Sequence, residues 1–464
     1  MKKYINKIVA IVLTLTLVMG TQSCKNLVEG YERSPNLPVD ATADQMVQGV
    51  QLSLNVGHQG EMARLAGIWG GYFTGADRQY ISYEDYALTA GDFNGGWGEL
   101  YSGTIYNAKV LADKAILEGN EQMAGMAKVC QAMAYGTLTS LFGDIPMTQA
   151  GDIETYPNPQ FDGQVAVYGQ IQSLLNEAIA DLGGSGSINN DLYYGGNAGD
   201  WIALAHSLKA RYFMMTKDYA NVITEVGFGI ADTGGDFMGN TQSSFSYTVR
   251  DWNLFMQFTW WDREGYMTAE KAYLPALLPT RDNAKTSEAA RSDFFYLAPG
   301  DYSPIDPNFY GFFWATQSNA MVSFVEMQLS LAEAYSRTGD DANALTALND
   351  ARQANDDYFN NLGYGNGWYQ PYGLADFDAG GMANVTGKTR SESLQLEILE
   401  ERYASLYGNI EVFVDINRTK NQLGVPSRNS KPIPQRFLYP QSESNSNSNF
   451  PGFVDFDVAL PVNN

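Results

Sequence analysis

The amino-acid sequence predicts an all-α protein, with tetratricopeptide-like helix pairs packed against a less regular, loop-rich half with few short strands. Three observations favour this class. Apolar residues recur at three- and four-residue spacing over most of the 464-residue chain. Two pairs of such segments are separated by tight turns. Between these pairs lies a stretch rich in glycine, asparagine, aspartate and aromatic residues, where the periodicity is weak.

Helical spacing is clearest in the first half of the chain. Gly143 and Pro146 follow the second predicted helix directly, and both residue types terminate helices. Asp218 begins a further, shorter helix that runs through Val226. The four longer predicted helices contain Tyr101–Leu111, Met123–Leu141, Tyr168–Leu182 and Trp201–Met215.

The second half alternates irregular and helical segments. Residues of about 234–319 and 355–390 are predicted to be irregular, because they lack a sustained apolar period. Helices return near Met321, and the last long helix contains Leu396–Leu406. The polar tail Ser442–Asn449 is predicted to be a loop.

Two of the helix–turn–helix pairs resemble each other. Each has a small residue beside an aromatic residue, then a tight turn, then a second helix that carries alanine. Small residues let two helices cross closely, as in tetratricopeptide repeats. Chance helical hairpins are the alternative for so degenerate a pattern. The pairs contain Ala210-Arg211-Tyr212 with Asp218-Tyr219-Ala220, and Glu333-Ala334-Tyr335 with Asp341-Ala342.

The N-terminus has the layout of a secretory signal peptide, assigned to residues 1–23. Lys2, Lys3 and Lys7 precede an apolar or small stretch from Ile8 to Gly20. At a rise of about 1.5 Å per residue, this stretch is too short to cross a hydrocarbon core of about 30 Å. The sequence therefore predicts export and no transmembrane anchor.

Cys24 follows this leader directly, with the small residue Ser23 before it. This arrangement is typical of a bacterial lipoprotein, in which the thiol is lipidated and becomes the mature N-terminus. Thr21 and Gln22 depart from a strict lipobox, and an ordinary signal peptide cleaved elsewhere is the alternative. Residues 24–40 are interpreted as a lipidated tether, and 41–464 as a single domain.

The charge of the chain excludes several classes of partner. The net charge is −23, and removal of the leader lysines makes it more negative. An acidic surface without a basic block repels phosphate backbones and anionic lipid surfaces, so we expect no nucleic-acid partner. If Cys24 carries lipid, Cys130 has no disulfide partner, and its helical apolar neighbours predict a buried thiol.

Patterns for catalysis or cofactors are weak. His58 and His206 are isolated, and no cysteine cluster accompanies them, so we expect no metal site and no cofactor. Asp262 and Glu264, beside Trp260-Trp261, are the most suggestive carboxylate pair. Such a pair could serve glycoside hydrolysis, but it is common in a chain with 52 acidic residues. We therefore predict a non-enzyme, with a secreted glycoside hydrolase as an alternative.

Sugar binding needs aromatic rings that stack on pyranose faces, with planar polar groups that bond hydroxyls. Aromatic residues in loops are the best candidates, since a helix-core role is less expected there. Burial in the core remains the alternative for each of them. The predicted ligand-binding residues are Arg78, Tyr80, Trp252, Asn253, Trp261, Tyr310 and Trp314.

Several ordered segments together resemble the SusD/RagB family of outer-membrane nutrient-binding lipoproteins. They span nearly the whole mature chain. They are Trp97-Gly98-Glu99-Leu100-Tyr101, Phe142-Gly143-Asp144-Ile145-Pro146, Trp201–Tyr212, Ile398–Arg402, Asp415–Arg418 and Arg436-Phe437-Leu438-Tyr439-Pro440. The last is similar to the C-terminal signature of the SusD-like branch.

This resemblance implies a lipid-anchored outer-membrane protein that faces the cell surface. It implies capture of a nutrient, usually an oligosaccharide or polysaccharide, and delivery to a SusC-like TonB-dependent transporter. The irregular second half would carry the ligand. A peptide-binding uptake lipoprotein and a purely structural tetratricopeptide scaffold are the further alternatives.

Overall fold

Helices make up most of the chain that the structure, a computed structural model, describes: residues 41–239, 241, 245–248, 251–297 and 306–464. The predicted leader, Cys24 and the tether lie outside these residues. The first-half helices are α1 Ala43–Gln59, α2 Glu61–Trp69, α3 Gln79–Glu84, α4 Asn94–Gly98, α5 Asn107–Leu117, α6 Glu121–Phe142, α7 Gln164–Leu182, α8 Ala198–Met215 and α9 Tyr219–Val226. A π-helical segment, Glu99–Tyr106, joins α4 to α5. Each helix predicted in this half is confirmed.

The second half has shorter helices before Asn319 and longer ones after it, as predicted. They are α10 Leu254–Met256, α11 Tyr273–Leu277, α12 Ala289–Phe295, α13 Phe324–Thr338, α14 Asp341–Asn361, α15 Arg390–Ser405, α16 Glu411–Arg418 and α17 Gln441–Ser446. A π-helical turn, Gln257–Asp262, continues α10. Short 3-10 turns occur at Ala90–Phe93, Thr233–Gly235, Leu278–Arg281, Leu374–Phe377 and Pro461–Asn463.

Strands contribute two small antiparallel ladders within the described residues. In the first, β1 (Thr74–Gly75) pairs with β3 (Met267–Thr268), with Thr74 opposite Thr268. In the second, β2 (Phe237–Met238) pairs with β4 (Ala320–Val322), with Phe237 opposite Val322 and an irregular register after it. The second ladder attaches both ends of the irregular segment 234–319 to the helical frame.

Three boundaries differ from the sequence prediction. Met321 lies in β4, and α13 begins at Phe324 because Ser323 caps it, its Oγ accepting from Glu326 N at 3.1 Å. Helix α14 continues past residue 355 to Asn361, since Phe359 stays buried in the core. The polar tail contains α17, not only a loop.

The tail is helical because it docks onto α4. Asn94 Oδ1 accepts from Ser442 N at 2.9 Å, and Trp97 Nε1 donates to Glu443 Oε1 at 3.2 Å. Neither partner lies near in sequence, so local composition does not reveal the helix. Trp97 itself is buried.

The two predicted helix pairs use the same local device. Asp218 caps α9 by accepting from Asn221 N, and Asp340 caps α14 by accepting from Asn343 N. Helices α6 and α8 pack closely because Gly136 of α6 has no side chain. A Cβ at this position would lie 2.0 Å from Cζ of Tyr212 on α8. These pairs confirm the tetratricopeptide-like packing.

The C-terminal segment Arg436–Pro440 closes on the turn after α6. Phe437 N donates to Leu141 O at 2.8 Å, and Tyr439 OH donates to Asp144 O at 2.8 Å. Arg436 also donates to Phe142 O. Two segments nearly 300 residues apart in sequence therefore form one structural unit.

Cys130 is a free, buried thiol on α6, as predicted. Burial raises its pKa well above the usual range. The Nδ1 atom of His206 lies 2.6 Å from Glu225 Oε2.

Buried arginine–carboxylate pairs join helices that are distant in sequence. One set connects α8, α13, α15 and α16 in the protein interior. Its members are Arg211–Glu326, Arg402–Asp415 and Arg418–Glu333, with N–O distances of 2.7, 2.6 and 2.8 Å. All six side chains are buried. Arg211 also donates to Met321 O at 2.6 Å, which fixes β4 beside this set.

A second set centres on Arg281, whose guanidinium is almost wholly buried. It collects carboxylates from the segment before α12 and from α15. Its partners are Glu288 at 2.8 Å, Glu397 at 3.2 Å, Glu400 at 3.3 Å and Glu401. Arg291 on α12 also binds Glu401, at 2.7 Å. Glu401 is therefore a structural ion-pair residue.

We predict that Arg281→Ala lowers the free energy of unfolding by about 3–5 kcal/mol, because it leaves several buried carboxylates unpaired. Arg390→Ala is the matched control. Arg390 pairs with Asp378 at 2.7 Å, but both side chains are about half exposed, so its loss costs less than about 1 kcal/mol. Urea unfolding of both variants tests this; equal losses would contradict the assignment.

We also predict an acid-sensitive contribution from Glu333. Burial alone would raise its pKa, but the charges and hydrogen bonds of Arg418 and Arg337 outweigh burial and lower the pKa to about 2. Since one pKa unit corresponds to about 1.4 kcal/mol, the carboxylate contributes on the order of 3 kcal/mol. This contribution is complete above the unfolded-state pKa of about 4.5 and is lost as the pH falls towards 2.

The measurement is the free energy of unfolding between pH 6 and pH 2.5, for the wild type and for Glu333→Gln. The variant should be less stable near neutral pH and show a shallower decline on acidification. A decline of unchanged slope would show that other groups control acid unfolding.

Candidate ligand-binding face

The seven predicted ligand-binding residues fall into two groups. Arg78 and Tyr80 lie beside Tyr266 and Phe258. Trp252, Asn253, Trp261, Tyr310 and Trp314 come together elsewhere, although the segments 252–261 and 310–314 that carry them are far apart in sequence.

In the first group, Tyr80 is a core residue. Its ring lies 4.4 Å from Tyr83 and 4.7 Å from Phe258, in stacked geometry, and its hydroxyl accepts from Arg64 Nε at 2.9 Å. Only 1% of it is exposed, so ligand contact through this ring is incompatible with the structure. Arg78 stays at the surface, with its guanidinium 5.8 Å from the Tyr266 centroid.

The second group belongs to a set of rings that we call the aromatic cluster. The cluster consists of Phe245, Tyr247, Trp252, Trp260, Trp261, Phe309, Tyr310 and Trp314. Trp252 lies at its centre, 1% exposed, and Phe245 stacks on it at 5.0 Å. Phe245 also stacks on Trp314 at 5.4 Å, so three rings form a continuous column.

Hydrogen bonds at the base of the cluster hold it together. Trp252 Nε1 donates to Ser246 O at 3.0 Å. Asn253 caps α10 through Oδ1, which accepts from Phe255 N at 2.9 Å, and its Nδ2 donates to Gln317 O at 2.9 Å. Trp252 and Asn253 are both buried. Their predicted contact with ligand is therefore replaced by a positioning role, since a buried amide or indole is used up by its partners.

The outer face of the cluster is exposed to solvent. Tyr247 is 59% exposed, Tyr310 is 56% exposed and Trp261 is 46% exposed. Trp314 is half-buried and stacks on Tyr310 at 6.0 Å. Ligand contact stays a prediction for Trp261, Tyr310 and Trp314, and the structure places all three at one surface.

The π-helical turn Gln257–Asp262 directs the adjacent tryptophans apart. Trp260 stacks on Phe309 with centroids 6.2 Å apart and nearly parallel planes. Trp261 meets Trp252 edge-on at 5.8 Å and leaves much of its ring exposed. Of the two, Trp261 is the more exposed.

Sequence reasoning missed Phe245, Tyr247 and Phe309. All three lie in the irregular segment 234–319, so the criterion that selected Trp252 applies to them equally. The sequence shows these three as aromatic residues in a loop, but no local sequence feature indicates which rings contact each other.

The carboxylates considered for hydrolysis follow Trp261 closely in sequence. Asp262 and Glu264 are exposed, and Arg263 Nη1 donates to the Asp262 carbonyl at 2.7 Å. Burial raises the pKa of Asp306 to about 6, and the negative charge of Glu264 acts in the same direction. Among the described residues, no group of three or more His, Cys, Asp or Glu side chains is arranged to hold a metal ion.

One known protein family matches this chain. The SusD-like family model described as "Starch-binding associating with outer membrane" matches residues 35–270, half of the chain. The chain belongs to the SusD-like family. The resemblance in its sequence segments is thereby confirmed. A comparison with curated proteins finds no match.

Solved structures share the SusD-like fold at low sequence identity. A SusD/RagB family protein from Bacteroides thetaiotaomicron is 21% identical, with 88% of this chain and 95% of that chain covered and a TM-score of 0.67. A SusD homologue from Bacteroides fragilis is 18% identical, with 91% and 99% covered and a TM-score of 0.71. A chitin-binding SusD homologue from Flavobacterium johnsoniae is 16% identical, with 90% and 98% covered and a TM-score of 0.69.

No helix within the described ranges is both long enough and apolar enough to cross a bilayer. The family is described as associated with the outer membrane.

Proposed function

We propose that this SusD-like protein is a surface-exposed outer-membrane lipoprotein that captures an oligosaccharide or polysaccharide and passes it to a SusC-like TonB-dependent transporter. The observation that carries the proposal is the aromatic cluster, which presents several large rings to solvent at one place. The family description as starch-binding supports a carbohydrate ligand.

The rings suit stacking on sugars. Apolar faces of pyranose rings pack on aromatic faces, and an exposed indole or phenol that is already supported from below loses little freedom on binding. Trp252 supports Trp261, and Trp314 supports Tyr310. Asp251, which precedes Trp252 and is exposed, offers a carboxylate to sugar hydroxyls.

Large exposed aromatic patches are unusual on a monomeric surface and mark interaction sites. A ligand that covers Tyr247, Trp261 and Tyr310 would remove this apolar area from water. The relatives' chitin and starch ligands are glycans, which supports the same chemistry here.

A binding role without catalysis fits the family and the site. Glycoside hydrolysis needs two carboxyl groups that flank one glycosidic bond, with one of them held protonated by its surroundings. Asp262 and Glu264 are both exposed to solvent.

We predict that soluble starch or glycol chitin in a native gel retards the mature protein. The double variant Trp261→Ala/Tyr310→Ala should weaken this binding by about tenfold or more, because each lost stacking ring costs about 1 kcal/mol. Tyr106→Ala is the control, since Tyr106 is 41% exposed and lies outside the cluster.

Loss of retardation in Tyr106→Ala to the same degree would contradict a role for the aromatic cluster. Retention of a peptide, with no glycan in a broad panel bound, would favour the peptide-uptake alternative. Release of reducing ends from the bound glycan would contradict the non-enzymatic role.

Membrane attachment is proposed through Cys24. A clickable palmitate analogue fed to expressing cells should label the full-length protein, and Cys24→Ala should abolish the label. Cys130→Ala is the matched control and should keep it, because Cys130 is the other cysteine of the chain and is buried. Labelling that survives Cys24→Ala would exclude this anchor.

A further inference from the structure

The π-helical turn Gln257–Asp262, which carries Trp260 and Trp261 of the aromatic cluster, also lines a separate cleft of about 330 Å³. This volume lies in the range of small-molecule sites. The other walls come from the junction of α1 with α2, from α4 and from the start of α10. No residue of the aromatic cluster is among the described residues that line the cleft.

Arg64 on α2 is held in a fixed position at this cleft. Its guanidinium carbon lies 4.3 Å from the centre of the Phe258 ring, and its Nε donates to Tyr80 OH at 2.9 Å. Tyr80 is itself fixed, because it is buried and stacks on both Tyr83 and Phe258. Neither amino group of Arg64 has a partner among the described residues, so a positioned planar donor keeps unused hydrogen-bonding capacity.

Glu61 lines the same cleft one helical turn before Arg64. Opposite charges at this spacing commonly pair along a helix. No ion pair joins these two, because each is held by a different tyrosine: Tyr83 OH donates to Glu61 Oε1, and Arg64 Nε donates to Tyr80 OH. The cleft therefore presents a donor and an acceptor of opposite charge that do not satisfy each other.

The charges of the cleft wall favour a neutral ligand that carries hydroxyl groups. Glu99 and Asp262 line the cleft together with Glu61, so three carboxylates accompany the one guanidinium. The carboxylates oppose an anion, and the guanidinium opposes a cation. A hydroxyl group accepts from a guanidinium and donates to a carboxylate, so neighbouring hydroxyls on one ring match both. Phe258 adds an apolar surface for the C–H face of a sugar.

Gly95 of α4 keeps the cleft accessible. It is an exposed residue of the cleft wall, and the nearest atom to a Cβ at this position would be Glu61 Oε2, at 4.0 Å. A side chain larger than that of alanine would therefore enter the space beside the Glu61 carboxylate. The absence of a side chain at position 95 leaves this space to a ligand.

We propose that the cleft binds a neutral sugar unit through Arg64 and Glu61, as a second subsite beside the aromatic cluster. The inference rests on the proposed function, because it takes the nutrient to be a glycan. Gln257 lines the cleft and its Nε2 donates to Trp252 O at 3.1 Å, so the cleft and the cluster share one structural support. Stacking on Trp261 and hydrogen bonding in the cleft hold different units of one chain.

Isothermal titration of the mature protein with maltohexaose and with chitohexaose tests this subsite. At least one of these neutral probes should bind. Gly95→Leu should weaken its binding by about tenfold, since hydrogen bonds to charged groups are lost when the cleft is filled. Gly98→Leu is the matched control and should bind as the wild type does. Gly98 lies on the same helix, outside the cleft, and a Cβ there meets no atom within 4 Å.

Arg64→Lys tests the guanidinium itself. Lysine keeps the positive charge but loses the planar donor, so binding of the same probe should again weaken by about tenfold. The melting temperature of each variant is measured alongside, and Gly95→Leu carries the test if Arg64→Lys is unstable. Hexagalacturonate, an anionic probe of equal length, should bind at least about tenfold more weakly than the neutral probe.

Equal affinities of Gly95→Leu and Gly98→Leu would overturn the proposal, as would unchanged binding in a stable Arg64→Lys variant. Hexagalacturonate binding that depends on Arg64 would overturn the neutral ligand. If starch or glycol chitin retards Gly95→Leu like the wild type, but not Trp261→Ala/Tyr310→Ala, the cleft subsite fails and the proposed function stands. If no neutral glycan binds the wild type, both proposals fail.

Discussion

Guanidinium groups buried against carboxylates are the constraint on which the rest of the fold depends. A buried charge is tolerated only with its partner in place, so Arg211 on α8 requires Glu326 on α13, more than 100 residues later. Arg211 also binds Met321 O and therefore sets where the irregular segment 234–319 ends. The helical frame and the irregular segment are joined by the same side chain.

The candidate ligand face is built from the inside outward. The side chains of Trp252 and Asn253 donate hydrogen bonds to the backbone carbonyls of Ser246 and Gln317. The bond to Gln317 connects the two loop segments. Trp261 packs against Trp252 and Tyr310 packs against Trp314, and both Trp261 and Tyr310 are exposed to solvent on their outer side. Rigid rings on an otherwise irregular backbone are what a stacking site needs, because the entropy of ordering them has already been lost in folding.

Much of the frame follows from local sequence, and the exceptions have non-local causes. Asp218 and Asp340 cap helices within three residues of themselves, so those helix starts are predictable. Helix α17 depends on contacts with Asn94 and Trp97. Met321 lies in a strand because β4 pairs with Phe237–Met238 of β2. In the candidate ligand-binding face, the sequence predicts that Tyr80 and Trp252 are aromatic residues in loops, but contacts with remote segments bury both side chains.

The sequence by itself determined the all-α class, the tetratricopeptide-like pairs and the SusD-like segments, because periodicity, caps and ordered motifs act over a few residues. It also determined which loops are rich in aromatic residues. Only the tertiary structure decided which rings face solvent and which buried arginine pairs with which carboxylate. The physical reason is that burial and pairing depend on neighbours supplied by chain segments far apart in sequence.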